Sequence, residues 1–521
     1  MKSDAGITNS VWSETVNIPL RPPLTENIHV HTCIVGAGIA GLSAAYTIAR
    51  EGKSVVVLDD GPIGGGETGR TTAHLSNALD DRYIELERIF GEEGARHAAA
   101  SHTAAINRIE TIVLEEGIDC EFRRLDGYLM NAPGESLDFL ERELDAARRA
   151  GLPVQMVDHA PLPEGAPADR ALLFPDQGAF HPLKYLQGLA EAIERYGGRI
   201  HNGSHAERIE GGDPGKVQVR NGGLVTAQYI IVATNTPVND WVKIHTKQAP
   251  YRTYVIGALV PKGSVRDVLL WDTLDPYHYV RLSPLSERHD ILIVGGEDHK
   301  TGQAHDTDER FERLEDWARL YFPFIDLVEY RWSGQVIEPV DSLAYIGHNP
   351  GEAPNVFIAT GDSGHGMTHG TIAGILIPDL IFGHDNPWVK LYDPKRKPLK
   401  AVGEFTRENL NVAAQYRHFF TGGDVESIDQ IPPEHGAQVR IGLRKVAAYR
   451  TETGEIIQLN AACPHLGCIV EWNRTERTWD CPCHGSRFTP EGKVINGPAN
   501  TDLASAEDDE PQLPAPVELP H

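Results

Sequence analysis

The chain has 521 residues, of which 40% are hydrophobic and 23% charged, and its formal net charge at pH 7 is −26. The length predicts about three or four domains or subdomains, and the composition is that of an ordinary soluble protein. A surface this acidic argues against nucleic acid or an anionic membrane as the main partner, so we attribute the negative charge to solubility.

The apolar segments are too short for a membrane anchor. The best candidate, residues 371–382, falls below the roughly 20 apolar residues of a spanning helix and contains Pro378 and Asp379. The start of the chain carries neither the charged-then-apolar pattern of a secretory signal nor a twin arginine. We therefore expect a cytoplasmic protein without a membrane anchor.

The first regular elements in the sequence form a βαβ unit. Residues 1–27 are polar, contain proline and have no helical or strand period, which predicts an extended arm. Residues 29–35 and 54–59 are short apolar runs that predict buried strands, and the Ala-rich stretch 39–51 between them has helical spacing. A strand, a helix and a strand within about 30 residues are typical of a βαβ unit.

A G-x-G-x-x-G motif lies at the first strand-to-helix turn. The first glycine permits a tight turn, the second lets the backbone approach a pyrophosphate at the helix N-terminus, and the third allows close packing of helix and strand. An aspartate ends the second strand, where it can accept hydrogen bonds from a ribose. The predicted dinucleotide contacts are Gly36, Gly38, Ile39, Ala40, Gly41 and Asp59.

The middle of the chain changes from helical to strand periodicity. Residues 80–150 look mainly helical, and residues 183–196 predict another amphipathic helix. Residues 217–221 and 227–234 predict strands, and the alternation of apolar and polar residues over 251–296 predicts a large, mostly antiparallel sheet.

Two glycine-rich segments favour FAD over NAD as the dinucleotide. One, residues 64–74, follows the second strand, and the other, residues 359–368, lies at the last strand-to-helix turn. With these segments, and with residues 331–334 and 341–347, the region 28–385 resembles the D-amino-acid oxidase superfamily, which includes glycine, sarcosine and dimethylglycine oxidases and dehydrogenases. The resemblance implies one FAD and oxidation of a C–N bond by hydride transfer to the flavin.

The resemblance also implies which residues contact the flavin. The turn that contains His365, a candidate catalytic residue, would line the isoalloxazine. His74 stands where some members attach the flavin covalently to a histidine. The alternative for His74 is an uncharged histidine near the flavin or a packing residue. The further flavin contacts in these two segments are expected at Gly66, Thr68, Arg70, Thr71, Gly361, Asp362, Gly364, Gly366, Met367 and Thr368.

The substrate end departs from the sarcosine oxidase pattern. Where those enzymes often have a lysine that grips the substrate carboxylate, this chain has Thr368, which puts a simple amino-acid substrate in doubt. Arg252 and Arg281 are the other candidates for an anionic group, because guanidinium suits carboxylates; the alternative for each is a solvated strand position. Their neighbours Tyr254 and Tyr279 are candidate catalytic residues or sheet-face packing.

The C-terminal region changes character twice. Residues 386–425 are rich in Pro, Lys and Asp and predict a linker. Short alternating runs at 438–443, 445–450 and 455–459 then predict a small all-β module. Residues 504–521 are acidic and Pro-rich, which is typical of a disordered tail.

A cysteine–histidine cluster lies within this β module. Four of the six cysteines fall between positions 463 and 483, which is too local for a disulfide-stapled fold and indicates a metal centre. The pattern C-x-H … C-x-x-H supplies two thiolates, which suit one iron, and two imidazoles, which suit another. The alternative is a Cys₂His₂ zinc site, but both halves of the pattern lie in turns of a β module. The predicted ligands are Cys463, His465, Cys481 and His484.

Residues 426–503 closely resemble the Rieske [2Fe–2S] domain, including residues 496–499, which look like the proline loop that covers the cluster. The resemblance implies that the two cysteine ligands bind the inner iron and the two histidines the outer iron. It also implies a disulfide between Cys468 and Cys483. Ser486 matches a hydrogen-bond donor to a cluster sulfur, whereas Phe488 replaces a tyrosine donor, so we expect a potential between those of the dioxygenase and cytochrome types.

Together these features predict an α/β fold: a Rossmann-like FAD-binding domain, an antiparallel-sheet substrate domain and a small all-β Rieske domain. The predicted segments are an N-terminal arm (1–27), the FAD-dependent oxidoreductase (28–385), a linker (386–425), the Rieske domain (426–503) and the tail (504–521). Within the oxidoreductase, the FAD-binding parts are expected at 28–80, 150–235 and 330–385, and the substrate parts at 81–149 and 236–329.

The predicted function is oxidation of an amine or amino-acid-like small molecule at FAD. Electrons would pass singly to the cluster and on to an external acceptor of ferredoxin, cytochrome or quinone-linked type. One alternative reverses the flow, so that a reductase or monooxygenase-type site is fed through the cluster. The other is a redox module without catalysis. Only 37 residues follow His484, too few for the mononuclear iron domain of a Rieske oxygenase.

Overall fold

The computed structural model describes residues 5–167, 169–239, 244–397, 400–416, 422–442 and 444–507. Its helices are α1 (Val11–Thr15), α2 (Ile39–Arg50), α3 (Arg82–Glu116), α4 (Asp138–Arg149), α5 (Pro182–Arg195), α6 (Thr307–Tyr321), α7 (Gly366–Phe382), α8 (Val389–Tyr392) and α9 (Val402–Gln415). Among the helices so described, none is long and apolar enough to cross a membrane.

The strands belong to two large and two small sheets. They are β1 (Ile28–Val35), β2 (Val55–Leu58), β3 (His74–Leu75), β4 (Arg123–Met130), β5 (Gln155–Val157), β6 (Ala171–Ala179), β7 (Arg199–His201), β8 (Ala206–Glu210), β9 (Gly215–Val219), β10 (Leu224–Val232), β11 (Gln248–Pro261), β12 (Leu269–Asp272), β13 (Tyr279–Pro284), β14 (His289–Lys300), β15 (Leu327–Pro339), β16 (Tyr345–His348), β17 (Val356–Thr360), β18 (His435–Ile441), β19 (Arg444–Arg450), β20 (Ile456–Asn460), β21 (Glu471–Asn473), β22 (Thr478–Asp480), β23 (Arg487–Phe488) and β24 (Val494–Asn496).

The first sheet has the strand order β16-β17-β10-β1-β2-β7, and β9 and β8 extend it beside β10. β17, β10, β1, β2 and β7 run parallel, which explains why β2 is apolar and buried along its whole length. Helices α2 and α7 pack against each other beside this sheet because Gly374 carries no side chain. A Cβ there would lie 2.3 Å from the Cβ of Ser43.

The second sheet has the order β15-β11-β14-β13-β12-β4-β6-β3, with β5 beside β6. It is antiparallel except for the parallel pair β12 and β4. The predicted antiparallel sheet is therefore confirmed, and it is larger than residues 251–296. Strand β4 lies in the segment 80–150 that we expected to be mainly helical, and β3, β6 and β15 come from segments assigned to the FAD-binding part.

The predicted Rieske domain consists of the three-stranded sheet β18-β19-β20 and the four-stranded sheet β21-β22-β23-β24. The two cysteine–histidine loops precede β21 and β23. Residues 504–507, expected to begin a disordered tail, extend this domain: Ser505 pairs with Leu459, and the Ala506 N–H donates to the Gln458 carbonyl over 3.1 Å. The rest of the predicted tail, 508–521, lies outside the described residues.

The predicted extended arm and the predicted linker both contain helices. The N-terminal arm includes α1, where Trp12 is fully buried and its indole N–H donates to the Thr71 carbonyl over 2.6 Å. The linker region 386–425 includes α8 and α9, and the Tyr416 hydroxyl just after α9 donates to the Leu466 carbonyl over 2.8 Å. The N-terminal segment also bonds to Glu476 through Thr8, and α9 bonds to the Thr246 carbonyl through Asn409, contacts that their polar sequences did not indicate.

Candidate active site and cluster centre

The G-x-G-x-x-G loop has the geometry of a phosphate cradle. Gly36 has φ of +108°, and a Cβ there would lie 2.4 Å from the Ala233 carbonyl oxygen. A Cβ at Gly41 would lie 1.9 Å from the Gly36 carbonyl oxygen, so the third glycine is required for packing. The Asp59 carboxylate accepts from the Ala37 N–H over 2.5 Å. These residues fit FAD with its pyrophosphate on the N-terminus of α2 and its ribose at Asp59.

One large cavity runs from this loop to the second sheet. Fifteen of the seventeen predicted FAD contacts line it, together with the candidate catalytic residues Tyr279 and His365. The two that do not are Gly41, which packs against the turn, and Thr368, whose hydroxyl lies 2.8 Å from His102 Nδ1. The lining members are Gly36, Gly38, Ile39, Ala40, Asp59, Gly66, Thr68, Arg70, Thr71, His74, Gly361, Asp362, Gly364, Gly366 and Met367.

His74 is engaged at both ring nitrogens. Its Nδ1 lies 3.0 Å from the Thr72 hydroxyl, and its Nε2 lies 3.2 Å from the Val280 carbonyl oxygen. Burial, followed by the nearby Arg281 charge, lowers the pKa of His74 to about 3, so the ring is uncharged. This matches the alternative of an uncharged histidine beside the flavin, and covalent attachment at His74 stays an untested prediction.

The end of the cavity beside the second sheet is built from carboxylates and aromatic rings. The Tyr277 hydroxyl donates to the Asp80 carboxylate over 2.7 Å, and the Asp80 N–H donates to His365 Nε2 over 2.9 Å. The Tyr279 hydroxyl lies 2.5 Å from the Thr253 hydroxyl. Trp271 and Asp298 complete this end of the cavity, which we call the acid–aromatic end and define by Asp80, Trp271, Tyr277, Tyr279 and Asp298.

The two carboxylates there differ in proton affinity. Burial raises the pKa of Asp298 to about 7. Burial also acts to raise the pKa of Asp80, but His365, Arg82 and the hydrogen bond from Tyr277 hold it below its ordinary value. Near neutral pH, Asp80 is therefore charged while Asp298 exchanges a proton, a separation typical of acid–base sites.

Arg252 and Tyr254 do not reach the cavity, which corrects our expectation for both. Successive residues of a strand point to opposite faces, and on β11 it is Thr253 and Val255 that line the cavity. The Arg252 guanidinium instead donates to the Ser333 hydroxyl over 2.7 Å, and the Tyr254 hydroxyl lies 2.9 Å from His299 Nε2.

The Arg281 guanidinium also hydrogen-bonds within the protein. Its guanidinium donates to the backbone carbonyls of Ala73 and Phe180 over 2.7 and 3.0 Å and lies 5.3 Å from the centre of the Trp12 ring. The side chain is buried, and its Nη1 bonds to carbonyls of the His74 segment and of Phe180. Arg281 does not line the cavity, so its position does not support the expected substrate role.

The predicted cluster ligands converge at the edge of the Rieske domain. Cys463 and Cys481 are in mutual side-chain contact, and backbone N–H groups of the two loops point at their sulfurs. The rings of His465 and His484 lie 5.0 Å apart, and the buried Nδ1 of His484 has no hydrogen-bond partner among the described residues. Two cysteine sulfurs in contact and a buried ring nitrogen without a hydrogen-bond partner fit a [2Fe–2S] cluster.

Two further features of the loops agree with the predicted cluster environment. Cys468 and Cys483 form a disulfide; their sulfurs and that of Cys481 lie within 4.8 Å of one another, but the bonded pair is not available as metal ligands. The Ser486 hydroxyl contacts Cys463 and accepts from the Ala499 N–H of the proline loop over 3.0 Å.

The ligand loops face the FAD domain rather than solvent. The Gln335 side chain lines the flavin cavity and donates to the Gly485 carbonyl, one residue after His484, over 2.9 Å. A Cβ at Gly485 would lie 2.6 Å from Pro250 Cβ, and the ring of His245 lies 5.0 Å from that of His465. The segment 494–500 forms part of the cavity wall. The flavin site and the cluster site thus share a wall.

Buried ions hold this interface together. Glu476 is fully buried between the domains, and its carboxylate accepts from Arg70 over 2.9 Å and from the Ser333 hydroxyl over 2.5 Å. Burial would raise the pKa of Glu476, but Arg70, Arg252 and Arg487 hold it below its usual range. The interface ions are Glu67, Arg70, Arg252, Glu476, Asp480 and Arg487.

Several of these residues carried no signal in the sequence. Asp298 and Gln335 lie in strands without a motif, and their positions follow from sheet pairing. Asp80 lies in a turn and His245 in a short 3-10 helix, and only the folded chain brings them beside His365 and His465. Tyr279 was a candidate from the sequence, whereas Tyr277 lies in the loop just before β13, and the folded chain brings the centres of the two rings to 5.5 Å.

Comparison with known proteins agrees with this architecture. A family model described as FAD dependent oxidoreductase matches residues 31–380, and one described as Rieske [2Fe-2S] domain matches residues 423–507. The putative Rieske 2Fe-2S iron-sulfur protein YhfW of Bacillus subtilis is 32% identical over 494 residues, which cover 94% of this chain and 95% of the relative.

Two further matches cover about 70% of this chain. The gamma-glutamylputrescine oxidoreductase of Escherichia coli is 30% identical over 380 residues, covering 69% of this chain and 85% of that protein. The structure of glycine oxidase from Geobacillus kaustophilus superposes with a TM-score of 0.61 at 17% identity, over 71% of this chain and 99% of that one, which shows the shared fold. The chain belongs to the FAD-dependent oxidoreductase family of the D-amino-acid oxidase type, binds FAD, and carries a Rieske [2Fe–2S] domain.

Proposed function

We propose that the protein oxidises a C–N bond of a small amine at its FAD and passes the electrons singly through the Rieske cluster to an external acceptor. The observation that carries the proposal is the shared wall, in which Gln335 lines the flavin cavity and bonds to the loop of His484. An enzyme that gave its electrons directly to oxygen would have no use for a one-electron carrier at this position.

The chain's own residues prepare the substrate. FAD, when bound, accepts a hydride from the carbon next to nitrogen, and the [2Fe–2S] cluster accepts one electron at a time. The α2 loop and Asp59 hold the dinucleotide, and the sheet that carries Thr253 and Tyr279 closes the substrate end. Asp80, fixed by Tyr277 and His365, supplies a permanent negative charge at that end.

Two relatives support an amine as the substrate class. One is named a gamma-glutamylputrescine oxidoreductase and the other a glycine oxidase, and both named compounds contain an amino group. The acceptor is proposed to be a ferredoxin, a cytochrome or a quinone-linked carrier.

The first experiment is an anaerobic screen of the holoenzyme with secondary and tertiary amines, N-methyl amino acids and D- and L-amino acids. We expect one class of compound to bleach the flavin absorbance and the Rieske EPR signal of the reduced cluster to grow afterwards in the same sample. If no compound bleaches the flavin while NAD(P)H or a reduced ferredoxin reduces the cluster, the flow is reversed and the proposal is wrong.

Replacing Gln335 with leucine should slow electron transfer between the two sites without slowing substrate oxidation. The side chain contributes one interdomain hydrogen bond, and its loss is expected to reduce the rate of cluster reduction about fivefold to tenfold. Stopped-flow absorbance measures flavin bleaching and rapid-freeze EPR measures cluster reduction. Flavin bleaching should stay within about twofold of the wild-type rate, since Gln335→Leu leaves the acid–aromatic end intact.

Gln303→Leu is the matched control for this experiment. Gln303 also donates to a Rieske carbonyl, that of Pro482, over 3.1 Å, but it does not line the flavin cavity. We expect the control to leave cluster reduction within about twofold of wild type. If both variants slow cluster reduction equally, the effect comes from weaker domain docking in general, and a specific role for Gln335 is contradicted.

A further inference from the structure

The acid–aromatic end of the cavity has the composition of a cation site. Two carboxylates, Asp80 and Asp298, face a space bordered by the rings of Trp271, Tyr277 and Tyr279. The aromatic rings are close together: the centres of Tyr277 and Tyr279 lie 5.5 Å apart. Faces of Trp and Tyr attract cations through the ring quadrupole, and carboxylates add a full charge.

The Asp298 carboxylate has one oxygen without a hydrogen-bond partner among the described residues. Arg310 donates to the Asp298 backbone carbonyl over 3.3 Å, and Thr253 hydrogen-bonds to the carboxylate. The buried Oδ1 atom has no hydrogen-bond partner among the described residues. A buried carboxylate oxygen without a donor is costly, and a donor from a bound ligand would remove that cost.

Among the described residues, the cavity wall offers no uncommitted arginine or lysine for a substrate carboxylate. Among the described residues that line it, Arg70 is the only arginine or lysine, and its guanidinium is bonded to Glu476 and to the Ser333 carbonyl. Burial, as the largest cause, lowers the pKa of both His74 and His369 to about 3, so these cavity histidines are uncharged. A carboxylate at the substrate end would face Asp80 and Asp298, and the histidine beside them, His365, already contacts the Asp80 carboxylate over 3.5 Å.

We propose that the substrate is an alkylammonium compound without a carboxylate near the reacting nitrogen, held by Asp298 and Asp80 within the ring cage of Trp271, Tyr277 and Tyr279. This inference rests on the proposed C–N oxidation and adds the substrate class. It excludes the simple amino acids named for several proteins of this fold.

Asp298 also has the proton affinity that such a substrate requires. Oxidation needs the nitrogen lone pair, so one N–H bond of the ammonium breaks and an O–H bond forms on Asp298, leaving a neutral amine. Burial raises the pKa of Asp298 to about 7, with Thr253, Arg310 and His278 opposing and Asp80 reinforcing the rise. Tyr277 and Tyr279 also face it; burial raises their pKa values well above the ordinary range, so both stay neutral.

Binding and oxidation are tested with two matched pairs of probes. The first pair is tetramethylammonium and pivalate, which have similar shape and opposite charge and cannot be oxidised here. The second pair is N-methylpropylamine and N-methyl-β-alanine, which differ only by a terminal methyl or carboxylate. Perturbation of the flavin absorbance of the anaerobic holoenzyme gives the dissociation constants, and bleaching gives the oxidation rates.

We expect tetramethylammonium to bind at least about tenfold more tightly than pivalate and N-methylpropylamine to bleach the flavin at least about tenfold faster than N-methyl-β-alanine. Preference for the anionic member in the binding pair overturns the cage. Bleaching by N-methyl-β-alanine alone overturns the substrate class but keeps C–N oxidation. If tetramethylammonium binds but no amine bleaches the flavin, the cation site is supported and the proposed C–N oxidation is wrong.

Two variants localise the effect. Asp298→Asn keeps the shape of the side chain and should weaken tetramethylammonium binding about tenfold or more, whereas Asp308→Asn, at an exposed position of α6, should not change it. Unchanged binding in Asp298→Asn, with full FAD content, overturns the assignment of Asp298. The wild-type probe comparison remains decisive if the variant does not fold.

Discussion

Replacing Cys481 with serine should abolish the Rieske EPR signal of the reduced protein and remove bound iron and sulfide. Cys481 is one of two thiolates that hold the inner iron in the predicted ligand set, and serine is a poor ligand for iron–sulfur clusters. Because metal binding is coupled to folding of the ligand loops, we expect loss of the whole cluster rather than of one iron. The FAD absorbance should remain, since the cradle of Gly36 and Asp59 is built within the other domain.

The decisive comparison is with Cys120→Ala. Cys120 is buried in the oxidoreductase core and far in sequence from the ligand loops, so this variant should retain iron, sulfide and the EPR signal. Anaerobic substrate should still bleach the flavin of Cys481→Ser, while reduction of the external acceptor should stop. Retention of the Rieske signal in Cys481→Ser, or one zinc per chain in place of iron in the wild type, would contradict the ligand assignment.

The parts of the fold that depend on local sequence could be predicted. The βαβ unit and the cysteine–histidine loops depend on residues less than about 30 positions apart. Glycines and cysteines at such spacing are compatible with few other structures. Membership of the second sheet could not be predicted in full. The strand of His74 and Leu75 pairs with that of Gly178 and Ala179, about 100 residues later, and such pairing leaves no trace in local periodicity.

The substrate end illustrates why residue type alone misleads. Arg252 was a candidate substrate residue because guanidinium binds carboxylates. Strand alternation instead points its side chain into the domain interface and that of its neighbour Thr253 into the cavity. A one-residue shift on a strand exchanges the two faces. Asp298 lay in no motif, and its importance follows from burial beside Thr253 and Asp80.

The relation between the two redox domains also required the folded chain. The sequence indicated a linker at 386–425, which is compatible with a mobile Rieske domain. In the structure, Glu476 reaches across to Arg70, and Gln335 reaches back to Gly485. Arg70 and Glu476 are 406 positions apart in the sequence. Such an ion pair can be identified only in the folded chain, where both charges are buried together.

Replacing Glu476 with glutamine should destabilise the docked protein by about 3–5 kcal/mol at neutral pH. The substitution preserves size but removes the charge that compensates Arg70 and Arg252, and it leaves buried guanidinium groups without a full counter-charge. The carboxylate also accepts from Thr8 over 2.6 Å and thereby ties the N-terminal segment to the Rieske domain. Urea unfolding of the holoenzyme, followed by circular dichroism and flavin fluorescence, measures the change.

Glu434→Gln provides the matched control, since Glu434 pairs with Arg477 in the same domain but both side chains are partly exposed. Such a pair contributes about 0–1 kcal/mol.

The pH dependence gives a second readout. The pKa of Glu476 is held below its ordinary value by the arginines, so its contribution is present above about pH 4.3 and is lost as pH falls through the folded-state value. The difference between wild type and Glu476→Gln should therefore be largest near neutrality and shrink on acidification. A difference that is small at pH 7, or that grows toward acid, would mean that packing rather than the buried charges holds the cluster against the flavin site.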